Sequence, residues 1–125
     1  MRTILMVPPE HFMVKVALNP HMKEADGSLK SVDKALALSQ WQTLKGTFQS
    51  LGIRVLSCPA TPELPDMVFS ANHAVCFPEL RGVLMGKMRH PSRAPEVYLF
   101  EKFYRENGIR ILEAPELQNI PFEGT

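Results

Sequence analysis

Apolar residues along this chain come in short runs, each closed by proline, glycine or charge. Thr3 to Val7 is apolar on consecutive positions and stops at Pro8-Pro9, which predicts a first strand buried on both faces. Phe12 to Leu18 predicts a second strand, broken by Asn19-Pro20. A loop follows to Lys30 and contains the turn pair Asp26-Gly27. The period then changes. Ala37, Trp41, Leu44, Phe48 and Leu51 recur at steps of 4, 3, 4 and 3, the spacing of one helical face, with Trp41 a core member. Ser31 suits the N-cap of this helix, Asp33 suits its positive end, and Gly52 suits its C-terminal stop. Ile53 to Leu56 reads as the next strand.

Leu64-Pro65 reads as a turn, because proline fixes its own φ and disfavours helix in the residue before it. Met67-Val68-Phe69 is then expected as a short buried strand, with Asp66 at one mouth and Asn72 at the other. Polar groups on a rigid strand suit a site that fixes a ligand's orientation; they equally suit turns at either end. Ala74 to Phe77 and Val83 to Met85 predict two strands joined by a turn over Glu79 to Gly82. Arg89 to Arg93 is a polar loop. Pro95 opens a helix that runs to Asn107, with Val97, Phe100 and Tyr104 on one face, and Gly108 stops it. Ile109 to Leu112 is a strand, and a proline-punctuated link leads to Phe122-Glu123-Gly124-Thr125.

The chain repeats itself. Gly52-Ile53-Arg54-Val55-Leu56 returns as Gly108-Ile109-Arg110-Ile111-Leu112, 56 residues on. Each copy follows a helix and precedes a proline-rich link, and Pro65 and Pro121 stand at the same spacing, with Asp66 and Glu123 close behind. The implied unit is strand, strand, helix, strand, present about twice. Units of this size bury their faces by packing on neighbours.

Composition narrows the class. With 125 residues the chain makes at most one ordinary domain, and 45% hydrophobic content supports a core. A net charge of +1, with acids and bases mixed, gives no footprint for nucleic acid or an anionic membrane. No apolar run approaches a membrane span, and the run ending at Pro8 is too short for a signal peptide, so a cytoplasmic location is expected. Cys58 and Cys76 do not make a disulfide framework, and both read as small buried hydrophobes. His11, His21, His73 and His90 lack paired metal-ligand spacing, and His73 and His90 read as surface or turn residues. Gly82 and Gly86 are too sparse for a phosphate loop, and the basic residues from Arg81 to Arg93 read as a solvated turn. No cofactor is implied.

Three stretches resemble the guanidino-group-modifying enzymes: arginine deiminases, dimethylarginine dimethylaminohydrolases, amidinotransferases and arginine dihydrolases. They are Pro8-Pro9-Glu10-His11-Phe12 with Leu18-Asn19-Pro20-His21-Met22; Pro65-Asp66-Met67-Val68-Phe69-Ser70-Ala71-Asn72; and Arg89-His90-Pro91-Ser92-Arg93 with Glu96, then Phe122-Glu123-Gly124. Their order fits the N-terminal part of such enzymes. The resemblance implies an α/β fold, part of a five-bladed α/β propeller (a pentein) built of ββαβ repeats. About two blades would be present: blade 1 over about 1–66, blade 2 over about 67–121, and the start of blade 3 at 122.

The resemblance also implies roles. Asp66 matches the substrate-binding aspartate, Asn72 a polar position that is an acid in deiminases and an amide in the dihydrolase-like branch, and Arg89 an arginine that binds the substrate's α-carboxylate. Asn19 lies in the loop that covers the site, and Glu123 matches the acid of the Phe-Glu-Gly motif, which holds the guanidine and supports the catalytic histidine. The chemistry agrees: a guanidinium is a planar cation with forked donors, which carboxylates accept in pairs. Ala71 stands where dimethylarginine hydrolases carry an acid, which argues against that substrate. The family's nucleophile is a cysteine attacking the guanidinium carbon to give a thiouronium. It and its histidine would lie beyond Thr125, so an arginine-like molecule is the expected ligand and a C-terminal half the expected partner. A non-catalytic half-propeller that binds a ligand or forms a homo-oligomer is the other reading.

Overall fold

Two strands that both run into proline lie side by side. In the computed structural model, which describes residues 2–124, β1 (Thr3–Met6) pairs in parallel with β2 (Arg54–Ser57), Thr3 opposite Arg54 and Met6 opposite Ser57. Parallel strands need a long crossover, and the chain supplies α1 (Lys34–Ser50). The chain divides into two compact units, residues 1–68 and 69–125. Met1 and Thr125, the last residue of the Phe122 run, lie outside the described residues.

In the first unit the N-cap of α1 is Asp33, not Ser31. Its carboxylate accepts from the Leu36 N–H at 2.9 Å, and Ser31 stands two residues too early to reach a first-turn donor. The apolar stripe is only half-buried. Ala37, Trp41 and Phe48 are partly covered, whereas Leu44 and Leu51 are exposed. Lys45 lies over the Trp41 ring, 5.1 Å from its centroid. Gly52 adopts φ +74°, the left-handed turn that ends a helix; Gly108 ends the second helix the same way at +71°.

The strand expected over Phe12 to Leu18 does not form. Proline starts a tight 3-10 turn on either side, at Pro9–His11 and Pro20–Met22, and the Leu18 N–H turns to the Met22 sulfur at 3.3 Å. The loop beyond it closes as expected around Asp26-Gly27, where Asp26 accepts from the Ser28 N–H and hydroxyl. Met67-Val68-Phe69 is not a strand either. Pro65–Val68 is a 3-10 turn, with Met67 N–H donating to the Leu64 carbonyl at 3.2 Å. Proline's fixed φ suits the first position of that turn as well as it suits entry to a strand. The turn packs against Pro9–His11.

The second unit runs strand, strand, helix, strand: β3 (Ala74–Phe77), β4 (Gly82–Met85), α2 (Glu96–Glu106) and β5 (Arg110–Leu112). The sheet order is β3-β4-β5, antiparallel then parallel. A 3-10 turn at Pro78–Leu80 and a left-handed Arg81 (φ +50°) join β3 to β4. Helix α2 packs on β5 and buries Glu96, Phe100 and Tyr104. Cys76 is exposed rather than buried, because β3 is an edge strand on the far side of β4 from the strand that α2 covers; Cys58 is buried as expected. Among the described residues no helix is long and apolar enough to cross a membrane.

Candidate functional site

Asp66 and Asn19 belong to the first unit. Asp66 is buried in the first turn of the Pro65–Val68 3-10 helix rather than at a strand mouth. Asn19 is exposed and caps the Pro20–Met22 turn, its Oδ1 accepting from the His21 N–H at 2.9 Å.

Asn72, Arg89 and Glu123 belong to the second unit, and the segment Phe122–Gly124 brings them together. Lys87 and Phe122 form an antiparallel bridge, with the Lys87 N–H donating to the Phe122 carbonyl at 2.7 Å. Just beyond the bridge, Glu123 Oε1 accepts from the Arg89 N–H at 3.2 Å. The Gly124 N–H donates to the Asn72 carbonyl at 2.9 Å, and Asn72 Nδ2 returns a bond to the Gly124 carbonyl at 3.3 Å. A cleft of about 280 Å³ lies along this bridge, lined by Lys87, Arg89, Pro121, Phe122 and Glu123. It offers two cations and one carboxylate to solvent, a pattern fit for a small zwitterion.

Behind Asn72 is a buried ion pair. Arg93 is 7% exposed and Glu96 is fully buried. The guanidinium meets the carboxylate side-on, Nε to Oε1 at 3.1 Å and Nη2 to Oε2 at 2.9 Å. Arg93 also donates to the Phe69 carbonyl at 2.9 Å and to Asn72 Oδ1 at 3.0 Å. The expectation that the Arg81–Arg93 basics form a solvated turn therefore fails at Arg93, which has four acceptor atoms waiting for it in the interior. The signal was present: an arginine and a glutamate three apart, straddling the start of a helix, can pair on one face.

His73 is also buried, against its reading as a surface or turn residue. Its ring stacks on Phe100 with centroids 3.6 Å apart and meets the Tyr104 hydroxyl at 2.7 Å. Burial, and then the positive charge of Arg93, push its pKa down to about 4, so it is neutral at neutral pH. His90 is an exposed turn residue bonded to Ser92. Among the described residues no group of three His, Cys, Asp or Glu side chains could hold a metal ion.

The mixed α/β fold matches the pentein domains of enzymes that act on guanidino groups, and the sequence matches extend to named relatives. The N-terminal domain of ArgZ, solved as a cysteine-to-serine variant bound to substrate, superposes with a TM-score of 0.82 at 32% identity, over 98% of this chain and 42% of that one. The bifunctional arginine dihydrolase/ornithine cyclodeaminase ArgZ of Synechocystis is 36% identical over 121 residues, 97% of this chain and 16% of its own length. An uncharacterised protein of Caenorhabditis elegans is 34% identical over 112 residues, 90% of this chain and 37% of that protein. No family model matches. The chain's homologues include the arginine dihydrolases ArgZ and AgrE and dimethylarginine dimethylaminohydrolase, and its structural neighbours are members of the guanidino-group-modifying superfamily. The chain spans well under half the length of these relatives.

Proposed function

We propose that this chain is the substrate-binding portion of a hydrolase or amidinotransferase acting on the guanidino group of arginine-like compounds. The observation that carries this reading is the gathering of Asn72, Arg89 and Glu123 on one short segment, beside a cleft sized for a small zwitterion. Glu123 takes the guanidinium, since forked N–H donors pair with carboxylates; Asp66 keeps the substrate-binding role that the resemblance gives it. Arg89 takes the α-carboxylate. Asn72 holds the reacting end. In the proposed reaction a thiolate adds to the guanidinium carbon, a C–S bond forms, and a C–N bond breaks with ammonia or an amine leaving protonated. Water or an acceptor amine then releases the thiouronium carbon. Neither cysteine of this chain suits that thiolate, Cys58 being buried and Cys76 sitting on the outer edge strand. The nucleophile is therefore assigned to residues outside these 125. The two compact units correspond in this reading to blades of a five-bladed propeller, about 1–66 and 67–121, with a third blade starting at 122.

Titration calorimetry with arginine tests the reading. Binding that Asp66→Ala abolishes supports it, and no binding by the wild-type chain overturns it. Ammonia, citrulline and ornithine are assayed in parallel; robust turnover by this chain alone would overturn the assignment of the nucleophile. A second reading has its own support: Leu36, Leu44 and Leu51 of the α1 region are 54%, 48% and 70% exposed. A non-catalytic half-propeller would cover such surface by self-association. Light scattering separates the two, because a clean monomer at working concentration counts against this second reading.

A further inference from the structure

Asn72 is gripped from two sides by groups that leave its amide only one orientation. A guanidinium has donors and no acceptor, so the side of the amide facing Arg93 Nη1 at 3.0 Å must be Oδ1. A backbone carbonyl has no donor, so the side facing the Gly124 carbonyl at 3.3 Å must be Nδ2. The remaining hydrogen-bonding group with a proton to give is the second N–H of Nδ2. Arg93 is itself held by both carboxylate oxygens of Glu96 and by the Phe69 carbonyl.

We propose that Arg93, fixed by Glu96, is a positioning residue that turns the Asn72 amide so that it presents an N–H to the site. This rests on the guanidino-substrate reading given above, and it sharpens that reading. A guanidinium carries only donors and offers this N–H nothing to bind. The group it recognises is an oxygen: the ureido oxygen of a hydrolysed product, or a water about to attack. Water has two lone pairs, so one accepts from Asn72 while the other attacks carbon. An amine has one lone pair and cannot do both. The arrangement thus favours release of the thiouronium carbon to water over transfer to an amine.

The test compares two ligands that differ at one atom. L-citrulline carries a carbonyl oxygen where L-arginine carries a nitrogen donor. Calorimetry on the full chain measures both, for the wild type, Arg93→Lys, Glu96→Gln, Asn72→Ala and the Asn72→Ala/Arg93→Lys double variant. Loss of one aligned hydrogen bond predicts about tenfold weaker citrulline binding in Arg93→Lys and Glu96→Gln, with arginine changed by less than about threefold. In the Asn72→Ala background Arg93→Lys should have no further effect. Equal losses for both ligands, or an undiminished Arg93→Lys effect in Asn72→Ala, overturn the proposal and mark the pair as scaffold only. Nitrogen-15 spectra of the Asn72 side-chain amide provide a readout that needs no ligand. Its two proton signals should be displaced from those of a solvent-exposed asparagine in the wild type and return toward them in Arg93→Lys; an unchanged signal overturns the proposal. Should wild type bind neither ligand, the guanidino reading fails while this arm still decides the geometry. Should Arg93→Lys not fold, Glu96→Gln, which keeps the arginine, is read in both arms.

Discussion

Nε2 of His73 lies 2.7 Å from the Tyr104 hydroxyl, and both side chains are buried. A histidine so enclosed ties stability to pH with a definite sign. Its folded pKa is pulled down from 6.5 to about 4, by burial first and by Arg93 second. Above about pH 6.5 the ring is neutral folded or unfolded, and the full stability is present. As pH falls from 6.5 to 4 the unfolded chain takes up a proton that the folded chain refuses, and stability is lost. The loss reaches about 3 kcal/mol by pH 4. Urea unfolding at pH 7, 5.5 and 4.5 measures it, and His73→Gln should flatten the slope across that window.

Removing one partner of the Arg93–Glu96 pair leaves an uncompensated charge in the interior. Glu96→Ala should destabilise the chain by about 3–5 kcal/mol, far more than loss of the exposed Lys102–Glu106 pair, worth about 0.5 kcal/mol. Denaturant midpoints at pH 7 compare the two, and similar small shifts would contradict the buried geometry.

Gly124 is in place only because it lacks a side chain. A Cβ there would run into the Ala74 carbonyl group and come within 3.0 Å of the Ala71 carbonyl oxygen. Gly124→Ala should lift the Phe122–Gly124 segment off the sheet. Hydrogen exchange reports this directly, because the amides of Lys87 and Gly124 lose their acceptors on Phe122 and Asn72 and should exchange faster.

If Arg89 receives the ligand's carboxylate, arginine should bind more tightly than agmatine, which lacks that group. The preference should be about tenfold and should vanish in Arg89→Ala. Competition calorimetry checks it; a preference that survives the substitution would assign the carboxylate to another cation, such as Lys87, which also lines the cleft.

Regular elements were legible where local chemistry alone decides them. The α1 stripe, the strand at Ala74, and the glycines at 52 and 108 all read correctly, since helix period and left-handed turns are short-range matters. The two failed strands share one cause. Apolar residues between prolines pack as well in a 3-10 turn or an irregular loop as in a strand, and only a ladder partner, a long-range fact, separates them. The site shows the same division. Motifs single out Asp66, Asn72, Arg89 and Glu123 as candidates, and the resemblance to guanidino-modifying enzymes was legible from the same motifs. The grip of Arg93 on Asn72 spans 21 residues and the bond from Asn72 to Gly124 spans 52. Neither leaves a trace in local periodicity. His73 was misread because a polar residue beside a turn looks solvated until a helix such as α2 is laid over it.

Gly86 sits where three backbone carbonyls converge: a Cβ there would come within 3.1 Å of the Phe122 oxygen, 3.2 Å of the His73 oxygen and 3.3 Å of the Asn72 oxygen. The gap between the two walls of the cleft is therefore gauged by main-chain atoms meeting across a single hydrogen. Substitutions among the lining side chains can change what the cleft admits without altering its width. A lineage could change which small ligand the cleft admits by editing Lys87, Arg89 or Glu123 alone, while the frame that holds them stays the same to a fraction of an ångström.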